Sequence, residues 1–181
     1  RIFGGGARGR PGERLARALE KLGPAYIKLG QFLATRPDVF GFETTTDLSR
    51  LKDKLPPFSM KAARAALVEE FGEEAEALFP DLSDPVAAAS LAQVHRMQTS
   101  DGAKAVKILR PNVESAIQRE LRAMKRAART VERVNEESRR LKPVAFTETV
   151  AASMEKELDL RLEAGGGDEM RELSFKAGYY Y

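Results

Sequence analysis

The stretch PVAAASLAQVHRMQTSDGAKAVKILRP, Pro85–Pro111, decides how this chain is read. Upstream of it the sequence is all helix and loop patterns. Here a short apolar run, a tight turn of small residues and a second run read as strand, turn and strand. TSDG is a hairpin turn, and AKAVKIL a further strand with Val106, Ile108 and Leu109 as its apolar residues. Arg110-Pro111-Asn112 breaks that strand, because proline cannot donate to a ladder. Strand side chains alternate, so Lys107 faces away from Val106 and Ile108. Because the hairpin is short, the register before Lys107 stays open.

A strand lysine is either a surface residue or a binder of phosphate. Protein kinases carry a phosphate-binding lysine on the strand after their glycine-rich loop and pair it with a helix glutamate. Where that loop would lie, this chain has Ala87-Ala88-Ala89-Ser90. Small residues let a backbone approach a ligand, but alanine adds a methyl and removes the positive-φ conformations of glycine. The turn is therefore a stiff, restrictive cover or a tightly packed structural turn. Gln93 and His95 share one strand face. His95 is a packed strand histidine or a base.

The bulk numbers narrow the field. The 181 residues are 43% hydrophobic and 31% charged, which suits one globular unit or one with an appendage. There is no cysteine and one histidine, which excludes disulfides, Cys nucleophiles and multi-histidine metal sites. Thirty Lys and Arg face 27 Asp and Glu, so the net charge of +3 does not argue for nucleic acid. No apolar run approaches the ~20 residues of a membrane span. The Arg- and Gly-rich start is a solvated tail or a contact for an anionic surface through Arg8, Arg10 and Arg14.

The helical part has its own punctuation. Pro11 opens a helix whose Leu15, Ala18, Leu19 and Leu22 follow helical spacing. Gly23-Pro24 ends it and starts a second, with Ala25, Leu29, Phe32 and Leu33 on a face, which Arg36-Pro37 closes. Asp47 reads as an N-cap for a short helix carrying Leu48, Leu51 and Leu55. Ser59 caps a helix with Met60, Ala63, Leu67, Val68 and Phe71, which Gly72 stops. A long helix is expected over about 113–141, with a narrow stripe of Ala116, Glu120, Ala123, Ala127, Val131 and Val134. A last helix is expected over about 144–164. About six helices around one small sheet result. Two or three strands alone are marginal, so the sheet must pack on those helices or on further strands.

Two more charged patterns stand out. Lys28 and Gln31, in YIKLGQFLATRPD, are three apart on one helix and project together. Burying Lys28 unpaired costs several kcal/mol, roughly, so it needs a carboxylate. MEKELDLRLEA supplies Glu157, Asp159 and Glu163; the last two share a face if the helix continues, and Arg161 is at hand to neutralise the cluster.

In combination, K-x-G-Q, AAAS, A-V-K and E-x-D with a later glutamate resemble the UbiB/ADCK family of atypical protein-kinase-like proteins. The resemblance runs from about Pro11 to about Glu172, through KLGPAYIKLGQFLATRPD, LSRLKDKLPPF, PVAAASLAQVH, AVKILRP and ELDLRLEA. It implies an α+β fold: a partial kinase-like N-lobe, with a small antiparallel sheet and long inserted helices, behind a helical N-terminal extension. Residues 1–82 correspond to the extension and 83–181 to the partial N-lobe.

The resemblance also implies roles. Lys107 is expected to contact a nucleotide, Glu163 to be its helix partner, and Ala87, Ala88, Ala89 and Ser90 to form the alanine-rich loop. Lys28 and Gln31 are expected to latch onto Glu157 or Asp159, restricting the pocket and arguing against phosphorylation of protein substrates. The implied cofactor is ATP or ADP with Mg2+. The implied partners are prenyl-quinone precursors, biosynthetic proteins, a membrane surface and a second copy of the chain. The implied setting is ubiquinone biosynthesis at the bacterial inner membrane, facing the cytoplasm. No H-G-D-like or D-F-G segment occurs, so the chain reads as the N-terminal portion of a longer protein. The catalytic aspartate and metal ligands are expected downstream. Read without the family, the chain is a non-catalytic scaffold or a membrane-surface helical module.

Overall fold

The computed structural model describes residues 9–51, 55–100, 102–134 and 136–165. The order of elements is α1 (Pro11–Leu22), α2 (Pro24–Ala34), α3 (Pro37–Phe40), α4 (Phe42–Leu48), α5 (Met60–Phe71), α6 (Ala75–Leu78), β1 (Pro85–Ala88), β2 (Ala92–Thr99), β3 (Gly102–Leu109), α7 (Val113–Val134), α8 (Glu136–Arg139) and α9 (Pro143–Leu158). The fold is α+β. Arg8, the glycines from Gly166 on and the AGYYY end lie outside the described residues.

The three strands form one antiparallel meander, β1-β2-β3. Thr99 pairs with Gly102 across the hairpin and Val94 with Lys107, which settles the register. Gly102 has φ +112°, a value open to glycine at a tight turn. Ala87 pairs with Val94, after a bulge next to Pro85.

Three apolar clusters hold the elements together. Ala25, Leu91, Val113, Ile117, Met124, Val150 and Met154 join α2, α7 and α9 to the tip of the first hairpin. The Phe32 and Phe146 rings meet edge to face there, centroids 6.1 Å apart. Ala63, Leu67, Ala75, Leu82 and Ile108 pack α5 and α6 on the sheet. Ala16, Leu19, Leu48 and Leu51 bind α1 to α4. Helix α2 lies between the first and third clusters, so it is apolar on both sides, as a buried helix must be.

Several expectations are corrected. Asp47 does not cap a helix over Leu48–Leu55; it lies inside α4, buried, and takes an ion pair from Arg10. The carboxylate sits against α1, where Gly12 leaves room: a Cβ there would lie 2.8 Å from Asp47 Cβ and 3.0 Å from Thr44 Cα. On α1 the buried row is Gly12, Ala16 and Leu19, whereas Ala18 and Leu22 are exposed, because α4 approaches the glycine side. On α5, Val68 and Phe71 are exposed. On α7 the buried row is Val113, Ile117, Met124 and Ala128, while Ala127, Val131 and Val134 face outward. The last helix ends at Leu158; Asp159 (φ −83°, ψ 85°) interrupts it before a further helical stretch, 160–165.

Candidate functional site

Register and alternation place Ala87, Val94, Ala105 and Lys107 on one face of the sheet. Ala87, Ala105 and Lys107 on it are exposed and Val94 is half-buried. The opposite face carries Gln93, His95, Val106 and Ile108 and is turned toward α5. Arg96, paired with Ala105, is exposed on the same face, so small residues there are accompanied by one ammonium and one guanidinium group. Lys107 Nζ forms an ion pair with Glu163 Oε2; the two side chains are 36% and 62% exposed. The structure thus joins strand and helix stretch 56 positions apart in sequence.

Glu163 owes its place to the interruption at Asp159. Asp159 Oδ1 accepts from the Arg161 backbone N–H at 3.1 Å, capping the 160–165 stretch. The Arg161 guanidinium bonds both Asp159 oxygens, at 2.9 and 3.3 Å, and holds this carboxyl below the usual carboxylate range. Asp159 and Glu163 therefore do not share the face of a continuous helix. Asp159 orients the turn that carries Glu163.

Lys28 forms its ion pair with Glu157 Oε1. Of the residues expected in this contact, the structure brings these two together. Asp159 is occupied by Arg161, and Gln31, half-buried, takes no side-chain hydrogen bond among the described residues. The glycine between Lys28 and Gln31 serves the other side of α2. A Cβ on Gly30 would lie 2.3 Å from Leu51 Cδ1 and 2.8 Å from Leu19 Cδ1.

The alanine turn is clamped. Ala89 N–H donates to Ala92 O at 2.8 Å, which leaves Ser90 and Leu91 at the tip, both buried. Arg110 then fixes the turn from outside: its backbone N–H donates to Leu91 O at 2.8 Å and its Nε to Ala89 O at 3.0 Å. The same guanidinium donates to Pro56 O at 2.7 Å and lies 5.5 Å from the Phe58 ring centroid. Burial lowers its pKa from the ordinary arginine value. The sequence signal for Arg110 was masked by its place before a proline, where it reads as a strand end. Ala87, Ala88 and Ala89 keep some exposure, so only they of the four turn residues line accessible surface.

Behind the sheet runs a buried polar chain. Ser83 O can only accept, so His95 Nδ1 donates to it, at 2.7 Å. His95 Nε2 then accepts from Gln93 Nε2, at 2.9 Å, and Gln93 Oε1 accepts from Phe58 N–H, at 2.9 Å. His95 is fully buried, on the face away from Lys107. It is a packed strand histidine and not a base for that surface.

Glu120 connects the helices. Its Oε2 accepts from Ala25 N–H at 2.9 Å, capping α2 from α7. Gly23 permits this with φ +122°, and a Cβ there would lie 2.2 Å from Glu120 Oε1. Burial raises the Glu120 pKa, opposed by the Ala25 N–H and by Arg119.

Among the described residues no group of His, Asp or Glu side chains is placed to hold a metal ion. No helix among them is long and apolar enough to cross a membrane.

Residues 50–180 match the ABC1 atypical kinase-like domain. The chain is 42% identical over 163 residues to the "Probable protein kinase UbiB" of Shewanella baltica and equally to that of Shewanella oneidensis. Each alignment covers 88% of this chain and 30% of the relative, so the chain spans about a third of the length of the curated relatives it matches. With its hairpin, lysine strand and helix glutamate in this arrangement, the chain belongs to the UbiB/ADCK family of ABC1 atypical kinase-like domains.

Proposed function

We propose that this chain forms the nucleotide-binding N-lobe and helical extension of an atypical kinase-like ATPase. Residues 1–82 act as the extension and 83–181 as the partial lobe. The observation that carries the proposal is the Lys107–Glu163 ion pair, with Lys107 on the sheet face that also carries Ala87, Val94 and Ala105. Ala87, Val94 and Ala105 offer a smooth surface for a purine ring, and Lys107 offers a cation for phosphate oxygens. Glu163 holds the ammonium extended toward that position. The clamped turn narrows the space above it.

The described residues fit a nucleotide but not the magnesium ion the family implies, since no carboxylate cluster is present. The catalytic aspartate and metal ligands belong to the part of the full-length protein beyond this chain, and the 181 residues alone have no turnover. The whole protein's activity is ATP hydrolysis in support of ubiquinone biosynthesis at the inner membrane. The Lys28–Glu157 pair holds α2 against α9 and limits access for a protein substrate.

Thermal shift with Mg-ADP tests the binding. The full-length protein shows a stabilisation that Lys107→Ala abolishes; a shift that survives the substitution refutes the site. No shift in either form favours a non-catalytic scaffold. Unchanged nucleotide affinity and activity in Lys28→Ala would count against the latch.

A further inference from the structure

The buried polar chain behind the sheet leads, through Phe58, to the clamp on the alanine turn. It begins at Ser83, which is docked twice on β2: its backbone N–H donates to Arg96 O at 2.9 Å, and its Oγ accepts from Arg96 N–H at 2.8 Å. Ser83 O is therefore a fixed acceptor, and it places the His95 proton on Nδ1. His95 Nε2, left as an acceptor, turns the Gln93 amide nitrogen toward the ring and its oxygen toward Phe58 N–H. A reversed amide would set oxygen against acceptor and nitrogen against donor, so one orientation alone satisfies the chain. Both side chains are fully buried.

Phe58 lies in segment 55–59, which has no regular structure and is exposed at Pro56 and Pro57. The two prolines have no N–H to anchor it. Among the described residues, Gln93 bonds it at Phe58 N–H, and Arg110 bonds it at Pro56 O and lies beside the Phe58 ring. Proline fixes φ, so a shift at Phe58 passes on to Pro56 and is not absorbed between them. Arg110 Nε in turn donates to Ala89 O.

We propose that Gln93 and His95 are positioning residues for the alanine turn. From behind the sheet they fix segment 56–58, and through Arg110 they fix Ala89 and the turn that adjoins the Lys107 face. The effect on ligand binding rests on the nucleotide site proposed above; the effect on the turn does not.

The two ring nitrogens of His95 can be replaced singly. An Asn amide nitrogen stands where Nδ1 stands and keeps the bond to Ser83 O. A Gln amide oxygen reaches the place of Nε2 and keeps the bond from Gln93. His95→Asn, His95→Gln and Gln93→Leu are made in the full-length protein. Amide exchange of residues 88–92 and affinity for Mg-ADP are measured on each, with urea denaturation to record stability. Gln93→Leu speeds exchange at the turn and lowers Mg-ADP affinity on the order of tenfold. His95→Asn does both to a lesser degree, whereas His95→Gln, at a comparable cost in stability, keeps both near wild type. Should Gln93→Leu not fold, the two His95 variants decide alone. Wild-type exchange at the turn in Gln93→Leu overturns the proposal. So does an affinity that follows stability alone, with His95→Asn and His95→Gln affected equally. Faster exchange in Gln93→Leu and His95→Asn, with no Mg-ADP binding even by wild type, supports the positioning and refutes the nucleotide site instead.

Discussion

Breaking the Lys28–Glu157 pair probes the contact between α2 and α9 directly. Lys28 is 20% exposed and Glu157 36%, so the pair lies between two limits. An exposed pair contributes about 0–1 kcal/mol; stranding a buried partner costs about 3–5 kcal/mol. Lys28→Met keeps the aliphatic stem and removes the charge, leaving Glu157 uncompensated but partly hydrated. An intermediate loss of about 2 kcal/mol follows, roughly 4–8 °C in midpoint for a chain of this size. Glu157→Gln costs a similar amount by stranding the better-buried ammonium. The double variant should cost less than the sum, with a coupling of about 1–2 kcal/mol. The assay is urea denaturation of all four proteins of the cycle, with midpoint and slope compared. A coupling below about 0.3 kcal/mol, within the additivity of independent sites, refutes the reasoning. It would mean that apolar packing of Phe32 on Phe146 holds α2 in place without help from the charges.

Gly23→Ala forces a Cβ onto the Glu120 carboxylate and a positive φ onto alanine, so a loss of about 2–4 kcal/mol is expected, read by thermal unfolding. The Glu120 pKa is raised in the folded protein, so the folded state keeps this proton longer than the unfolded chain. Its contribution is fully present below the unfolded glutamate value and is lost as pH rises through the folded one. The stability of wild type relative to Glu120→Gln should therefore decline as pH rises above the ordinary glutamate range; a rising difference contradicts the assignment. Arg110→Ala removes the bonds to Ala89 O and Pro56 O and the contact with Phe58. It should cost about 2–3 kcal/mol and speed amide exchange across residues 88–92, and lysine should not restore both bonds.

Much of the local architecture is legible in the chain itself. Gly23-Pro24 had to separate two helices, Ser59 had to cap α5, and Gly72 had to end it, because steric and hydrogen-bond limits act within a few residues. Ser59 Oγ does accept from Ala62 N–H, at 3.3 Å. The lysine strand, its hairpin and the alanine turn were readable for the same reason. The pairing of Lys107 with Glu163 was legible only through resemblance, since nothing local links positions so far apart.

What tertiary structure decided were choices between locally equivalent options. Helix α7 has two apolar rows at helical spacing, and the larger side chains of Ile117 and Met124 filled the core while the Ala and Val row was left outside. Lys28 had two carboxylates in reach; Arg161 bonded Asp159 to cap the next turn, leaving Glu157. Asp47 read as a cap by type, yet Gly12 on α1 opened a buried place for it beside Arg10. Propensity and spacing say which groups need a partner or a core, and the partner is chosen by volume and charge brought from distant parts of the chain.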